Sequence, residues 1–292
     1  MELLATEPAL FIGATAILGL LIGSFLNVVI FRLPRMLQHQ WQVQCREYLA
    51  LADEPASDGP ADQPFDLIRP ASHCPQCGRG IKAWENIPLL SYLFLRGRCA
   101  GCGTHIPLRY PLVEAITGVM SAVVAWHFGF SYAAAGALLL TWALIALTFI
   151  DFDHQLLPDN ITLPFLWLGL GFNVFAVYTT LGAAVVGAMA GYLVLWSVYV
   201  SFKFFTGKEG MGYGDFKLLA LLGAWLGWQA LPVIIILSSV VGALVGIALV
   251  VLRRHGRDVP IPFGPYLAAA GWIAVLWGEP ISAGYLRWAA LG

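Results

Sequence analysis

Eight apolar runs divide the chain, at 9–31, 111–128, 132–150, 161–179, 181–202, 216–227, 230–252 and 262–278. Only one polar stretch is long, Arg32 to Arg109, and it lies between the first run and the second. Apolar runs of this length predict membrane helices. The expected fold is therefore all-α and polytopic, with about eight transmembrane helices and a loop domain after the first. The corresponding organisation is a first helix at 1–31, a loop domain at 32–109 and a seven-helix membrane core at 110–292. The run 216–227 is too short to cross ~30 Å of hydrocarbon unaided at ~1.5 Å per residue.

Composition supports this reading. The chain is 59% hydrophobic and 11% charged over 292 residues, with a mean hydropathy of +0.75. A soluble domain would carry roughly twice that charge. The net charge of −1 gives no overall basic field for nucleic acid. The first run lacks the basic residues that open a signal peptide and is too long for one, which predicts a retained helix. Of the 16 Lys and Arg residues, all but Arg287 fall in 32–109, 203–217 and 253–260, segments that alternation of eight crossings places on one side. The positive-inside rule makes that side cytoplasmic and the N-terminus periplasmic. Two crossings must then fit into the 35 residues between Lys217 and Arg253. The glycine-rich turn before them is expected to dip below the surface, where irregular backbone is tolerated only against protein or a wet cavity. Small residues at helical spacing, Gly19/Gly23, Gly187/Gly191, Gly223/Gly227 and Gly242/Gly246, predict close helix packing.

Acids flanking these runs are few: Glu114, Asp151, Asp153, Asp159, Asp215 and Glu279. Asp151 is the first polar group after the third run, and Asp215 stands in "GMGYGDFK" at the mouth of the sixth, on the same side. Asp153 lies further from the membrane run and is expected to be solvated; Asp159, after Pro158, is expected to cap the fourth helix. Two neighbouring carboxyls do not both ionise readily and share a proton. The ionised member can activate a water against a peptide carbonyl while the protonated one polarises that carbonyl. Gly212 and Gly214 would let substrate backbone approach. The same pattern also fits a proton relay in a proton-coupled transporter, although the opposite helix ends carry almost no ionisable groups beyond Glu7, Glu279 and Arg287.

The polar stretch holds "CPQCGRG" and "CAGCGTH", with 21 residues between Cys77 and Cys99. Four thiolates, Cys74, Cys77, Cys99 and Cys102, at this spacing predict a closed, structural zinc site. His73 and His105 are alternate ligands by position, and Cys45 has no partner in sequence. The loop balances nine basic residues against seven acids with no basic stripe, so no nucleic-acid surface is expected. The Pro- and Asp-rich part from Ala50 to Pro70 reads as a solvated connector.

These residues together resemble a known family. "GSFLNVVIFRLP" (23–34), the paired CxxC motifs, "ENIPLLSYLFLRGRC" (85–99), "RYPLVE" (109–114), "DFDHQLLPD" (151–159), "GYGDFK" (212–217) and "PFGPYL" (262–267) occur in this order. The ordered set resembles the type IV prepilin leader peptidases, which are also N-methyltransferases. The resemblance implies a bacterial inner-membrane enzyme acting on prepilins of type IV pili and pseudopilins of type II secretion. Such an enzyme cuts the leader after a glycine at the cytoplasmic face. It then methylates the new N-terminal residue, usually phenylalanine, with S-adenosylmethionine. It also implies that Asp151 and Asp215 are the catalytic pair, and it ties methylation to the cysteine loop and Gly97. Chain pattern alone shows no glycine-rich fingerprint for a nucleotide-like cofactor. Gly97 can equally be a plain turn glycine. "PFGPYL" is expected to border the catalytic cavity or simply to start the last helix. Glu114 is expected to cap, pair with an arginine or contact a ligand.

Overall fold

The computed structural model describes residues 6–49, 65–253 and 262–288. Most of the connector from Ala50 and of the basic segment 253–260 lies outside the described residues. Eight helices of fourteen residues or more coincide with the eight apolar runs: α1 (Pro8–Tyr48), α2 (Arg109–Phe128), α3 (Tyr132–His154), α4 (Asp159–Val174), α5 (Leu181–Thr206), α6 (Tyr213–Leu226), α7 (Leu231–Arg253) and α8 (Gly264–Trp288). The described residues form no strand, only two isolated bridges in the cysteine loop. Among them five segments are long and apolar enough to cross a membrane: α1, α2, α3, α5 and Trp228–Ala248, which holds most of α7. The chain is thus a multi-pass membrane protein. The 16-residue α4 and 14-residue α6 reach only about 24 and 21 Å at helical rise. α8 is broken by non-helical backbone at Trp277, three residues before Pro280.

The chain forms two compact units. One comprises Ala9–Val123. In it α1 continues 17 residues beyond Phe31, where its apolar run ends, and carries Pro34 inside. The glycine pair expected to mark close packing does so: a Cβ on Gly19 would lie 2.5 Å from the Ser121 hydroxyl oxygen, and one on Gly23 would lie 2.7 Å from the Glu114 Cα. Asn27 adds a hydrogen bond from its side-chain amide to the Tyr110 carbonyl at 3.1 Å.

The second unit runs from Val124 and contains α3 to α8. Its centre is α6, where ten of the fourteen residues are buried. A helix that is apolar nearly all round belongs inside a bundle. α5 packs along most of its length, with Gly187 of α5 touching Gly223 of α6 so closely that a side chain on either would collide with backbone. Gly191 likewise faces the Leu219 carbonyl, at 2.6 Å from a Cβ placed there.

A helix that ends at this depth leaves carbonyls without water. Asn173, 1% exposed on α4, resolves this for α6. Its amide donates to the carbonyls of Ala224 and Trp225, both at 2.9 Å. Its own carbonyl accepts from the backbone N–H groups of Tyr178 and Thr179, both at 3.1 Å. The Trp225 indole adds a hydrogen bond to the Phe165 carbonyl at 2.8 Å. The short helix is thereby fixed at its far end, with Asp215 at its near end.

Candidate active site and metal centre

α3 begins at Ser131, whose side chain accepts from the Ala134 N–H, and ends at Gln155 in left-handed backbone. The Gln155 N–H closes the last turn on the Asp151 carbonyl at 2.9 Å. This places Asp151 one turn before the end, where its side chain is 5% exposed. Asp153, two residues on, is exposed as expected. At 100° per residue the two side chains point to nearly opposite faces, so only Asp151 turns inward.

Asp215 is the third residue of α6 and is 7% exposed. The Gly212 N–H is directed at its carboxyl. Asp151 is held in the same manner from another element: its Oδ2 accepts from the Gly264 N–H at 3.1 Å, at the start of α8. Helix N-termini favour negative charge. The two carboxyls lie close enough to repel each other when both are ionised. Two buried acids from different helices therefore share one site, each facing a glycine amide.

The "PFGPYL" segment both starts α8 and supplies that amide. Its glycine is required by space, because a Cβ at position 264 would lie 2.6 Å from Asp151 Oδ2. Leu157, 7% exposed, packs between the two glycine segments. Its side chain is 2.7 Å from a Cβ placed on Gly214 and 3.2 Å from one placed on Gly264. Sequence reading passed over this residue; only its place between two acids in "DFDHQLLPD" could have drawn attention to it.

Asp159 does not cap α4. Pro158 is the N-cap, and the Asp159 carboxylate instead receives Lys217 Nζ on both oxygens, at 2.7 and 2.8 Å. Lys217 stands two residues after Asp215, so this pair ties the start of α4 to the start of α6. The loop before Gly212 is fastened as well. Lys203 of α5 donates to Glu209 at 2.7 Å, and the Tyr199 hydroxyl donates to the same carboxylate at 3.3 Å.

The other unit holds the four cysteines. All four sulfurs lie within 4.8 Å of one another, and Cys74 and Cys102 Sγ are 3.8 Å apart. Zinc bonds of ~2.3 Å in a tetrahedron require S···S edges of about 3.8 Å, whereas a disulfide requires ~2.05 Å. The tetrad therefore fits a metal such as zinc. Both knuckles are built alike. Gly78 (φ 68°) and Gly103 (φ 72°) take the left-handed turn, and their N–H groups donate to the carbonyls of Cys74 and Cys99 at 2.9 and 3.0 Å. Backbone N–H groups of Cys102 and Gly101 lower the Cys99 thiol to about 6. Those of Cys77 and Gln76 pull Cys74 down as well. Amides aimed at sulfur favour the thiolate, which is the form that binds metal. His73 is turned to the Ala71 carbonyl at 3.0 Å, and neither histidine joins the cluster. Cys45 is exposed on α1.

Gly97 has φ 66° and abuts Tyr92, whose hydroxyl oxygen would be 2.7 Å from a Cβ at this position. Its N–H donates to the Tyr92 carbonyl at 2.9 Å and its carbonyl accepts from Ile106 at 2.8 Å. These are the contacts of a turn glycine. Glu114, 8% exposed, accepts from the Leu89 N–H at 2.9 Å and from the Ser24 side chain. It thereby holds Leu89, which has φ 58° at the start of the short helix Leu90–Phe94.

Comparison with known proteins follows this division. Residues 17–128 match the bacterial peptidase A24 N-terminal domain, and residues 138–247 match the type IV leader peptidase family. A protein of Stutzerimonas stutzeri is 58% identical over 291 residues, covering 100% of this chain and 99% of its own length. One of Pseudomonas aeruginosa is 55% identical, covering 99% and 98%, and one of Neisseria gonorrhoeae is 51% identical, covering 88% and 87%. All three are named prepilin leader peptidase/N-methyltransferase. No solved structure matches the chain.

Proposed function

The chain belongs to the type IV leader peptidase family, and from that membership we propose that Asp151 and Asp215 are its peptidase centre. It is an enzyme that cleaves the leader of prepilins and N-methylates the residue so exposed. The observation that carries the site assignment is the meeting of two buried carboxyls from α3 and α6, each facing a glycine amide. A transporter reading has no comparable support.

The chemistry follows from the pair. A water between the carboxyls gives a proton to the ionised one as its oxygen attacks the scissile carbonyl. The protonated partner donates a hydrogen bond to the carbonyl oxygen, which takes up the developing charge. When the tetrahedral intermediate collapses, the C–N bond breaks and the amine leaves with a proton from the pair. No covalent acyl-enzyme forms. Burial strengthens each of these interactions by excluding bulk water.

In this reading the enzyme sits in a bacterial inner membrane, with the N-terminus periplasmic and the aspartates opening to the cytoplasm. The distribution of basic residues supports that orientation. Substrates are prepilins and pseudopilins cut after a glycine, commonly before a phenylalanine. The region 32–109, helical as far as Tyr48, would be a cytoplasmic domain whose Cys74, Cys77, Cys99 and Cys102 hold a structural zinc. S-adenosylmethionine would be the methyl donor. Gly97 would serve methylation through the shape of its turn, which backbone hydrogen bonds to Tyr92 and Ile106 hold.

The test is purified enzyme with a prepilin, comparing wild type with Asp151→Asn and Asp215→Asn and following cleavage and methylation separately. Both variants are expected to cleave nothing while still methylating a pre-cleaved pilin. Wild-type cleavage by either variant would overturn the assignment.

A further inference from the structure

The short helix Leu90–Phe94 presents apolar side chains that none of the chemistry above uses. Leu93 and Phe94 are 70% and 84% exposed, and Leu90 and Leu108 are each more than half exposed. Exposed apolar groups of this kind mark an interaction surface. Glu114 fixes their depth. The 20 residues of α2 span ~30 Å at helical rise, the thickness of the hydrocarbon itself. Glu114 is the sixth of them and lies ~7 Å inside. Helix side chains lean toward the N-terminus, and the Leu89 N–H meets this carboxylate at 2.9 Å. Leu89 therefore stands at the edge of the hydrocarbon. α1 gives the same level independently. Its Asn27 bonds the Tyr110 carbonyl at the start of α2, and its apolar run ends four residues later, at Phe31.

A segment at that depth must satisfy its own backbone, because lipid offers no hydrogen bonds. This one does. The N–H groups of Ser91, Leu93 and Leu95 donate to the carbonyls of Ile87, Leu89 and Ser91 at 3.0, 3.0 and 2.9 Å. Those of Arg96, Gly97 and Arg98 donate to Leu93, Tyr92 and Leu95. The Ser91 hydroxyl is turned inward as well, onto the Ile87 carbonyl at 2.7 Å. The Leu90 N–H reaches back to the Pro88 carbonyl at 2.6 Å across Leu89, whose φ of 58° is a strained setting for a residue with a side chain. A strained turn fixed by a buried carboxylate thus leads into one turn of helix that keeps its polar groups to itself. Arg96 and Arg98, both exposed, follow Phe94 by two and four residues, and basic residues at this height attract anionic headgroups. We propose that Leu90–Phe94 is an interfacial anchor, with Leu93 and Phe94 in the acyl region of a phospholipid leaflet and Arg96 and Arg98 among its anionic headgroups. Gly97 stands between those arginines, so the anchor holds its turn at the membrane surface. The lipid contact needs no role for Gly97; its consequence for methylation rests on that reading.

The test uses full-length enzyme in vesicles of phosphatidylethanolamine and phosphatidylglycerol. The photoreactive residue p-benzoylphenylalanine replaces Leu93, Phe94 or, in the second cysteine knuckle, the exposed Ala100. After irradiation, mass spectrometry is expected to find phospholipid adducts at positions 93 and 94 and none at 100. Absence of lipid at 93 and 94, or equal labelling at 100, would overturn the proposal. So would adducts to an added prepilin in place of lipid, since the face would then be a protein docking surface. A second arm compares Phe94→Asp with Phe94→Trp. Aspartate carries charge into the acyl region and is expected to cut methylation of a pre-cleaved pilin severalfold, with bound metal and cleavage unchanged. Tryptophan suits the interface and is expected to keep methylation near wild type. Unchanged methylation in Phe94→Asp, or an equal loss in both variants, would overturn the anchoring role. Full methylation by Gly97→Ala would instead count against the reading of Gly97 while the lipid adducts remain, so the two failures are distinct.

Discussion

Asp151 and Gly264 stand 113 residues apart in sequence and 3.1 Å apart in the fold, carboxylate oxygen to backbone nitrogen. The contact exists only because position 264 has no side chain: a Cβ there would reach within 2.6 Å of the same oxygen. Gly264→Ala is therefore expected to displace the carboxylate by a fraction of an ångström to an ångström. Displacements of that size cost about 100-fold in rate. Cleavage assays should show that loss, while methylation of a pre-cleaved pilin stays near wild type.

Asn173 makes four hydrogen bonds, of which the two to the last carbonyls of α6 are buried. Asn173→Leu strands these backbone groups away from water, at about 1–3 kcal/mol for each unsatisfied group. A loss of at least about 3 kcal/mol is expected, read as a lowered denaturation midpoint in detergent. A mild effect would show that water reaches this depth.

The ion pair between Lys217 and Asp159 predicts the opposite outcome for stability. Its side chains are 30% and 49% exposed, so its contribution is expected to be about 1 kcal/mol or less. A double-mutant cycle with Lys217→Ala and Asp159→Ala, scored by thermal melting, measures it.

Metal binding should weaken in acid. Hydrogen bonds from Cys102 and Gly101 depress the Cys99 thiol to about 6, so its thiolate form predominates above that value and is lost as pH falls through it. Protons then compete with the metal. Zinc is expected to stay bound at pH 7 and to leave progressively as the solution is made acid, as followed with a colorimetric chelator. Cys99→Ser should release it at neutral pH.

Gly97→Ala places a Cβ against the Tyr92 ring and puts a non-glycine residue at φ 66°. The left-handed conformation alone costs about 1–2 kcal/mol. Methylation is expected to fall with cleavage retained, because the aspartates belong to the other unit. Adding Tyr92→Ala removes the clash but not the backbone strain, so rescue should be partial. Full retention of methylation in the single variant would show that this turn is not part of that activity.

The helices were legible because burial in a membrane demands uninterrupted apolarity, and that leaves a local mark in every run from α1 to α8. The zinc tetrad was legible for a related reason: two CxxCG knuckles write their own geometry within five residues each. Gly187 and Gly191 announced close packing by helical spacing, and Gly223 proved to be the residue Gly187 meets. Beyond these, local signals fail. Polarity continued past Phe31, so the pattern placed no helix there, yet α1 runs to Tyr48. Asp159 looked like a cap because Pro158 precedes it, but Lys217, 58 residues away, claims its carboxylate. Asn173 and Leu157 carried no motif of their own, since what gives each its role is a partner from another helix. For the aspartates, position after the third run already favoured Asp151 over Asp153, and the family resemblance named it. What only the tertiary structure supplied is the partner, because the turn of α3 sends the Asp151 carboxyl inward to the Gly264 amide, 113 residues away, and leaves Asp153 at the surface.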